Sequence, residues 1–240
     1  MKIGLFDSGV GGLFVLKEML DIFPNNEYIY FGDTKNLPYG EKSKDELKEY
    51  SSKIIKFLFE KKVDIIIIAC GTISTNIYND IKNNYDIKIY DIVSPTIKYI
   101  NSSKYKKIGI IGTKKTIESN FFENNIEKET ISLACPNLVQ LIENKEDDKI
   151  KEYIKENFKI FKNVDSLILG CTHYPYMEEN INKLLKINTV NMGKVLINNL
   201  KISNSKKFKL DLYFSKITPS LKKNVNDILK NNYKIKEKVL

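Results

Sequence analysis

Two of the three cysteines in this 240-residue chain occupy matching places in the sequence. Val63-Asp64-Ile65-Ile66-Ile67-Ile68-Ala69-Cys70 aligns with Val164-Asp165-Ser166-Leu167-Ile168-Leu169-Gly170-Cys171, so each thiol closes a short apolar run of strand character. Ligands of open α/β sheets sit at the carboxyl ends of strands. A helix N-terminus at that place supplies free N–H groups and positive potential, which lower a thiol pKa and welcome a carboxylate. If two lobes face one another, Cys70 and Cys171 point into one cleft from opposite sides. A lone free cysteine is more often a small buried hydrophobe. Two at equivalent strand ends favour chemistry, whereas Cys135, before Pro136, has no twin and reads as a core residue.

Other chemistries fail on spacing. The chain has no Cys-x-x-Cys, and one histidine with three scattered cysteines makes a weak metal site, so no metal is expected. Gly9-Val10-Gly11-Gly12 is like a phosphate loop, but Phe14 takes the place of the third glycine in Gly-x-Gly-x-x-Gly. All 39 basic residues are lysine, and without arginine the +9 charge reads as a solvated surface. No nucleic-acid partner is expected. With 42% apolar and 29% charged residues the chain is of globular type, which excludes disorder. No apolar run approaches the roughly 20 residues of a membrane span, so no membrane partner is expected. The opening Ile3–Phe6 is too short for the apolar part of a secretory signal, and three cysteines suit a reducing cytoplasm.

The elements that must position these residues alternate between strand and helix patterns, which predicts an α/β chain with parallel sheets. Strands are expected at Ile3–Phe6, Tyr28–Phe31 and Ile65–Ala69. Leu13, Val15, Leu16, Met19 and Leu20 space as a helix face. Asp33–Ser43 reads as a polar loop. Asp45–Lys61 reads as a helix with Leu47, Ile54, Ile55, Leu58 and Phe59 inward, and Ile73, Ile77 and Ile81 as one helix stripe. Lys2–Ser8 aligns with Lys107–Thr113 at nearly the offset of the cysteine segments, so two similar lobes are expected. Ser94-Pro95 suggests a junction, a serine cap with proline at the first helical position. The expected division is 1–95 plus 206–240 for the first lobe, with Ile228 and Leu229 in a closing helix, and 96–205 for the second.

Phe6-Asp7-Ser8-Gly9-Val10-Gly11-Gly12 resembles the opening signature of bacterial glutamate racemases, within the aspartate/glutamate racemase family. Tyr30–Thr34 with Leu37-Pro38-Tyr39-Gly40, Ile111–Ile117 and Leu169-Gly170-Cys171-Thr172-His173-Tyr174-Pro175 resemble three further blocks, in the same order. Ala134-Cys135-Pro136 leading to Glu143 is similar to a fifth. The resemblance implies two flavodoxin-like lobes with the active site in the cleft between them. It also implies racemisation of glutamate without cofactor or metal, supplying D-glutamate for peptidoglycan, by a cytoplasmic homodimer.

In that resemblance Cys70 is the base for one enantiomer and Cys171 for the other, since inversion needs an acid and a base on opposite faces. Asp7 and His173 tune or relay the protons and also touch substrate, with Glu143 behind them. Without arginine, the substrate carboxylates fall to backbone N–H groups and the hydroxyls of Ser8, Thr72, Thr113, Thr116 and Thr172, with lysine an outer contributor. Those hydroxyls could equally cap helices, and the two roles coexist. Pro38, Tyr39 and Gly40 form a loop over the cleft, or a plain turn. Relatives usually have asparagine where this chain has Gly71, and Asp-Ser where it has Asn191-Met192. Glycine offers backbone and leaves space, so Gly71→Asn is expected to tighten glutamate binding if the pocket is otherwise unchanged. The alternatives are a racemase for aspartate or another small acidic amino acid, and a binding or regulatory homologue with little turnover.

Overall fold

A computed structural model describes residues 1–203, 205 and 207–240. The expected lobe boundary at Lys206 lies outside the described residues. The chain runs β1 (Lys2–Asp7), α1 (Gly12–Ile22), β2 (Glu27–Gly32), α2 (Lys44–Glu60), β3 (Ile65–Ile68), α3 (Gly71–Asn76), α4 (Tyr78–Ile81), β4 (Lys88–Asp91) and α5 (Val93–Ser102). It continues as β5 (Lys107–Gly112), α6 (Lys114–Glu118), α7 (Phe121–Asn125), β6 (Glu129–Ala134), α8 (Leu138–Glu143), α9 (Asp147–Asn157), β7 (Ser166–Leu169), α10 (Glu178–Leu185), β8 (Asn188–Asn191) and α11 (Met192–Asn199). The last elements are β9 (Lys209–Phe214), α12 (Pro219–Leu229) and β10 (Ile235–Glu237). Among the described residues no helix is long and apolar enough to cross a membrane.

Two sheets result, ordered β10-β9-β2-β1-β3-β4 and β6-β5-β7-β8, and every neighbouring pair is parallel. The order β2-β1-β3-β4 recurs as β6-β5-β7-β8, so β3 and β7, which lead into Cys70 and Cys171, are equivalent strands beside equivalent centres. Side chains alternate between faces along each strand. Ile3, Leu5, Ile65 and Ile67 of the larger sheet therefore share one buried cluster with Ile108, Ile110 and Ile168 of the smaller. Leu16 of α1, Ile97 of α5, Leu196 of α11 and Val225 of α12 fill the same cluster. The intervening strand residues face two outer layers: Phe6, Ile66 and Ile68 pack with α2 and α3, and Leu167 and Leu169 with α8, α9 and α10. Each fully buried Leu or Ile contributes about 1.5–3 kcal/mol.

Several local expectations are corrected. Phe59 is exposed, at 51%, while Phe57 is buried, because the inward stripe of α2 runs through Leu47, Ser51, Ile54 and Leu58 and Phe59 falls one residue past it. Ile73, Ile77 and Ile81 are all buried but do not share one helix; the backbone breaks at Ile77, with φ −135°. Ser74, Thr75 and Asn76 each donate a side-chain hydrogen bond to the carbonyl four residues back, at 2.9, 3.0 and 2.9 Å, and such back-bonding bends helices. Ser94 does not cap α5. The Asp91 carboxylate accepts from the Val93 and Ser94 N–H groups at 2.9 and 2.8 Å, and Ser94-Pro95 lies inside the first turn.

Asn191 has a visible reason. Its side-chain oxygen caps α11 by accepting from Gly193 and Lys194 N–H, and its Nδ2 donates to Glu18 of α1 at 3.0 Å. Aspartate offers no such donor to an ionised Glu18. Burial pushes the Glu18 carboxyl up to about 7, despite Lys194 and Asn191, and its Oε2 is buried without a partner. A raised carboxyl pKa lowers stability as the group ionises in the folded state. Glu18→Gln should therefore resist denaturant better than the parent above pH about 7, the advantage appearing between pH 4.5 and about 7. An equal difference at every pH in urea unfolding would contradict this.

Candidate active site

The carboxyl ends of β1, β3, β5 and β7 converge on a cavity of about 130 Å³. Cys70 and Cys171 both line it, 4% and 8% exposed, together with Ser8, Gly71, Thr72, Thr113, Thr172 and His173. Pro38, Tyr39 and Gly40 close it from the side as a loop with a 3₁₀ turn over Tyr39–Glu41. That loop is anchored at Asp33, whose carboxylate accepts from Tyr39 Oη and Ser215 Oγ, each at 2.6 Å, and from Asn36. Asp33 is a positioning group that the sequence reading did not single out, although it belongs to the Tyr30–Thr34 block.

Asp7 and Thr116 stand behind the wall instead of lining it. Asp7 is fully buried, and its Oδ2 accepts from the Gly9 and Gly12 N–H groups at 3.1 and 3.0 Å, while Thr172 Oγ1 donates to Oδ1 across the lobes at 3.4 Å. The Gly9–Gly12 loop thus wraps a carboxylate of its own chain. At Gly11 a Cβ would come within 2.6 Å of His173 Nδ1, so glycine there serves close approach of the lobes. Thr113 caps α6 by accepting from Thr116 N–H at 3.2 Å, and its hydroxyl also meets those of Thr72 and Thr116 at 3.0 and 2.9 Å. Capping and a hydroxyl cluster coexist, and the cluster joins the two lobes. Lys114, on the cavity wall, is the cation nearest this cluster in sequence; Leu37, Glu41, Pro136, Val139 and Gly170 complete the lining.

The two thiols have different surroundings. Cys70 Sγ donates to Ser8 Oγ at 3.8 Å and directly precedes α3. Burial, and then the Asp7 charge, push its thiol up to about 12, outweighing its hydrogen bonds with the Ile73 backbone and Ser8. A helix N-terminus alone would lower this pKa; in a buried site beside a carboxylate the charged form loses more than the helix returns. Cys171 leads into a 3₁₀ turn over Tyr174–Met177, not directly into an α-helix, because Pro175 shapes that segment. Its Sγ lies 3.7 Å from His173 Nδ1, and His173 Nε2 lies 2.9 Å from Glu143 Oε1. Burial pulls His173 down, but hydrogen bonds to Cys171 and Glu143 raise it to about 10. Glu143, 30% exposed, connects this pair to solvent.

Cys135 is fully buried outside the cavity; its Sγ faces the Leu133 carbonyl at 3.6 Å, and burial pushes its thiol up to about 12. Among the described residues no group of three or more His, Cys, Asp or Glu is placed to hold a metal ion.

Two thiols facing one small cavity from equivalent strands suit proton exchange on opposite faces of a carbon. Residues 16–200 match the model of the Asp/Glu/Hydantoin racemase family. The chain belongs to this family. It is 38% identical to a glutamate racemase of Hydrogenobaculum sp. (strain Y04AAS1), covering 98% of this chain and 96% of that one. Among solved structures, a glutamate racemase of Bacillus anthracis superposes with a TM-score of 0.90 at 26% identity, covering 99% and 97% of the two chains. The glutamate racemase of Francisella tularensis subsp. tularensis SCHU S4, solved in complex with D-glutamate, gives 0.81 at 28% identity, covering 98% and 96%. As a racemase of this family, the chain is an isomerase acting on amino acids.

The raised His173 pKa has a stability consequence. A group bound more tightly when protonated contributes fully below its unfolded value, 6.5, and loses that contribution as pH rises through about 10. The stability difference between the parent and His173→Gln should shrink across that window in chemical denaturation. A difference that does not change with pH would refute the assignment of a charged His173.

Proposed function

We propose that this protein is a glutamate racemase that interconverts L- and D-glutamate by two-cysteine proton transfer without a cofactor. The observation that carries the reading is the placement of Cys70 and Cys171 on the wall of one cavity, at the ends of equivalent strands in two facing sheets. Similarity to glutamate racemases over nearly the whole chain supports glutamate over aspartate or another small acidic amino acid. D-glutamate made this way serves peptidoglycan synthesis. The same reading places the protein in the cytoplasm as a homodimer, with lobes 1–95 plus 206–240 and 96–205.

The reading has the following steps. In one direction Cys171 takes the α-proton, with His173 and Glu143 as its link to solvent. Cys70, held as a thiol by burial and by Asp7, delivers a proton to the opposite face. The C–H bonding pair stays on the α-carbon until the second proton arrives, and the thiols then exchange roles for the other enantiomer. Ser8, Thr72, Thr113 and Thr172 hydroxyls and the Lys114 ammonium receive the two carboxylates. Hydroxyls replace the bidentate arginine that this chain lacks.

Proton transfer from a positioned group is worth about 100- to 10,000-fold, and a hydroxyl is far less acidic than a thiol. Cys70→Ser and Cys171→Ser should therefore each lower racemisation of L-glutamate, followed by optical rotation, by at least about 100-fold. Cys135→Ser should leave it nearly unchanged. In heavy water the product enantiomer should carry solvent deuterium at the α-carbon, and activity should survive exhaustive chelation. Equal activity in all three variants, or activity restored only by a metal or pyridoxal phosphate, would overturn the reading.

A further inference from the structure

Gly71 and Gly170 flank the two cysteines in sequence, one following Cys70 and the other preceding Cys171. They also meet in space across the lobes. A Cβ on Gly71 would lie 2.5 Å from the Gly170 carbonyl oxygen and 3.5 Å from both the carbonyl carbon and Met192 Cε. Ordinary contact begins at 3.4 Å, so any side chain at 71 must push the opposing backbone away by about 1 Å. Gly170 is itself seated on β5. Its own N–H donates to the Ile111 carbonyl at 2.8 Å, and a Cβ on Gly170 would strike that same carbonyl. Backbone therefore rests on backbone from β5 through Gly170 to α3, with no side-chain layer between. This reverses the sequence expectation for Gly71, because the backbone of the second lobe occupies the place where a side chain at 71 would begin.

We infer that Gly71 is a positioning residue that sets the width of the cleft, by letting the first turn of α3 seat on the Gly170 carbonyl and so fixing the separation of Cys70 and Cys171. Both thiols adjoin this contact in sequence, and both line the same small cavity. The consequence for turnover rests on the racemase reading above; the contact itself does not. Proton transfer between a thiol and an α-carbon tolerates little displacement, and a 1 Å misplacement costs on the order of 100-fold.

The test uses the full chain carrying Gly71→Ala and, more severely, Gly71→Asn. Modification of each cysteine by iodoacetamide, read peptide by peptide, reports cleft width without reference to activity. Cys70 and Cys171 should react on the order of tenfold faster in Gly71→Ala, while fully buried Cys135 should not change. With L-glutamate, kcat should fall by about 100-fold with a smaller change in KM. Turnover of the one-carbon-longer 2-aminoadipate should rise relative to glutamate. The double variant Gly71→Ala/Met192→Ala separates the two neighbours: because the obstacle is backbone, it should behave like Gly71→Ala alone. Full rescue by Met192→Ala would overturn the inference. So would a folded Gly71→Ala protein with parental thiol reactivity, or one whose Cys135 reacts faster to the same degree. If the parent protein racemises no acidic amino acid, the functional reading fails, and the iodoacetamide rates still decide the contact.

Discussion

Two parallel sheets of unequal size share one apolar layer, and that layer, filled by α1, α5, α11 and α12, fixes where β3 and β7 end relative to one another. A sheet in a single lobe ends in a crevice with one wall. Joining two through a common core, packed as densely as any protein interior, turns two crevices into one cleft lined from both sides. Hydrogen bonds that cross between the lobes include the buried Thr172 to Asp7, the part-buried Thr72 to Thr113, Asn76 to the Lys115 carbonyl and Asn191 to Glu18, and the exposed Lys145 to Asp227. They set register and orientation at the rim of an apolar contact.

Burial has an electrostatic consequence. Removing water from around Cys70 raises its pKa, and the buried Asp7 carboxylate adds to the effect, so this thiol is held in the proton-bearing form. On the opposite side, His173 keeps its proton despite burial because Glu143 and Cys171 both interact with it. The near-symmetric backbone thus carries an asymmetric charge distribution, with a carboxylate behind one sulfur and an imidazolium beside the other. The chain has no arginine, and in the proposed reading hydroxyls at strand ends, several of which also cap or join helices, take the substrate carboxylates.

The sequence carried much of this, and its failures are local. Strand positions, the internal repeat and the pairing of Cys70 with Cys171 follow from alternation and from matched segments, because apolar periodicity reflects which face of an element is buried. The exposure of Phe59 is not legible in its spacing, because one residue on a helix turns a side chain by about 100° and out of the buried stripe. The break at Ile77 went unseen because it depends on the side chains of Ser74, Thr75 and Asn76 turning back on the backbone. Asp33 escaped notice because its partners Tyr39 and Ser215 lie far apart along the chain and only folding brings them together.

By itself, then, the sequence determined the α/β class, the repeated strand order around the cysteines, and the set of cysteine, histidine and hydroxyl residues available to a cleft. These are properties of residue type and spacing. Tertiary structure alone decided which of those residues line the cavity, with Asp7 and Thr116 withdrawn behind it. It also decided that Cys70 is raised, not lowered, in pKa, and that Gly71 is a point of backbone contact, not an empty subsite. Each of these depends on distances between segments remote in sequence and on the exclusion of water between them, and neither quantity exists until both lobes are folded against their common core.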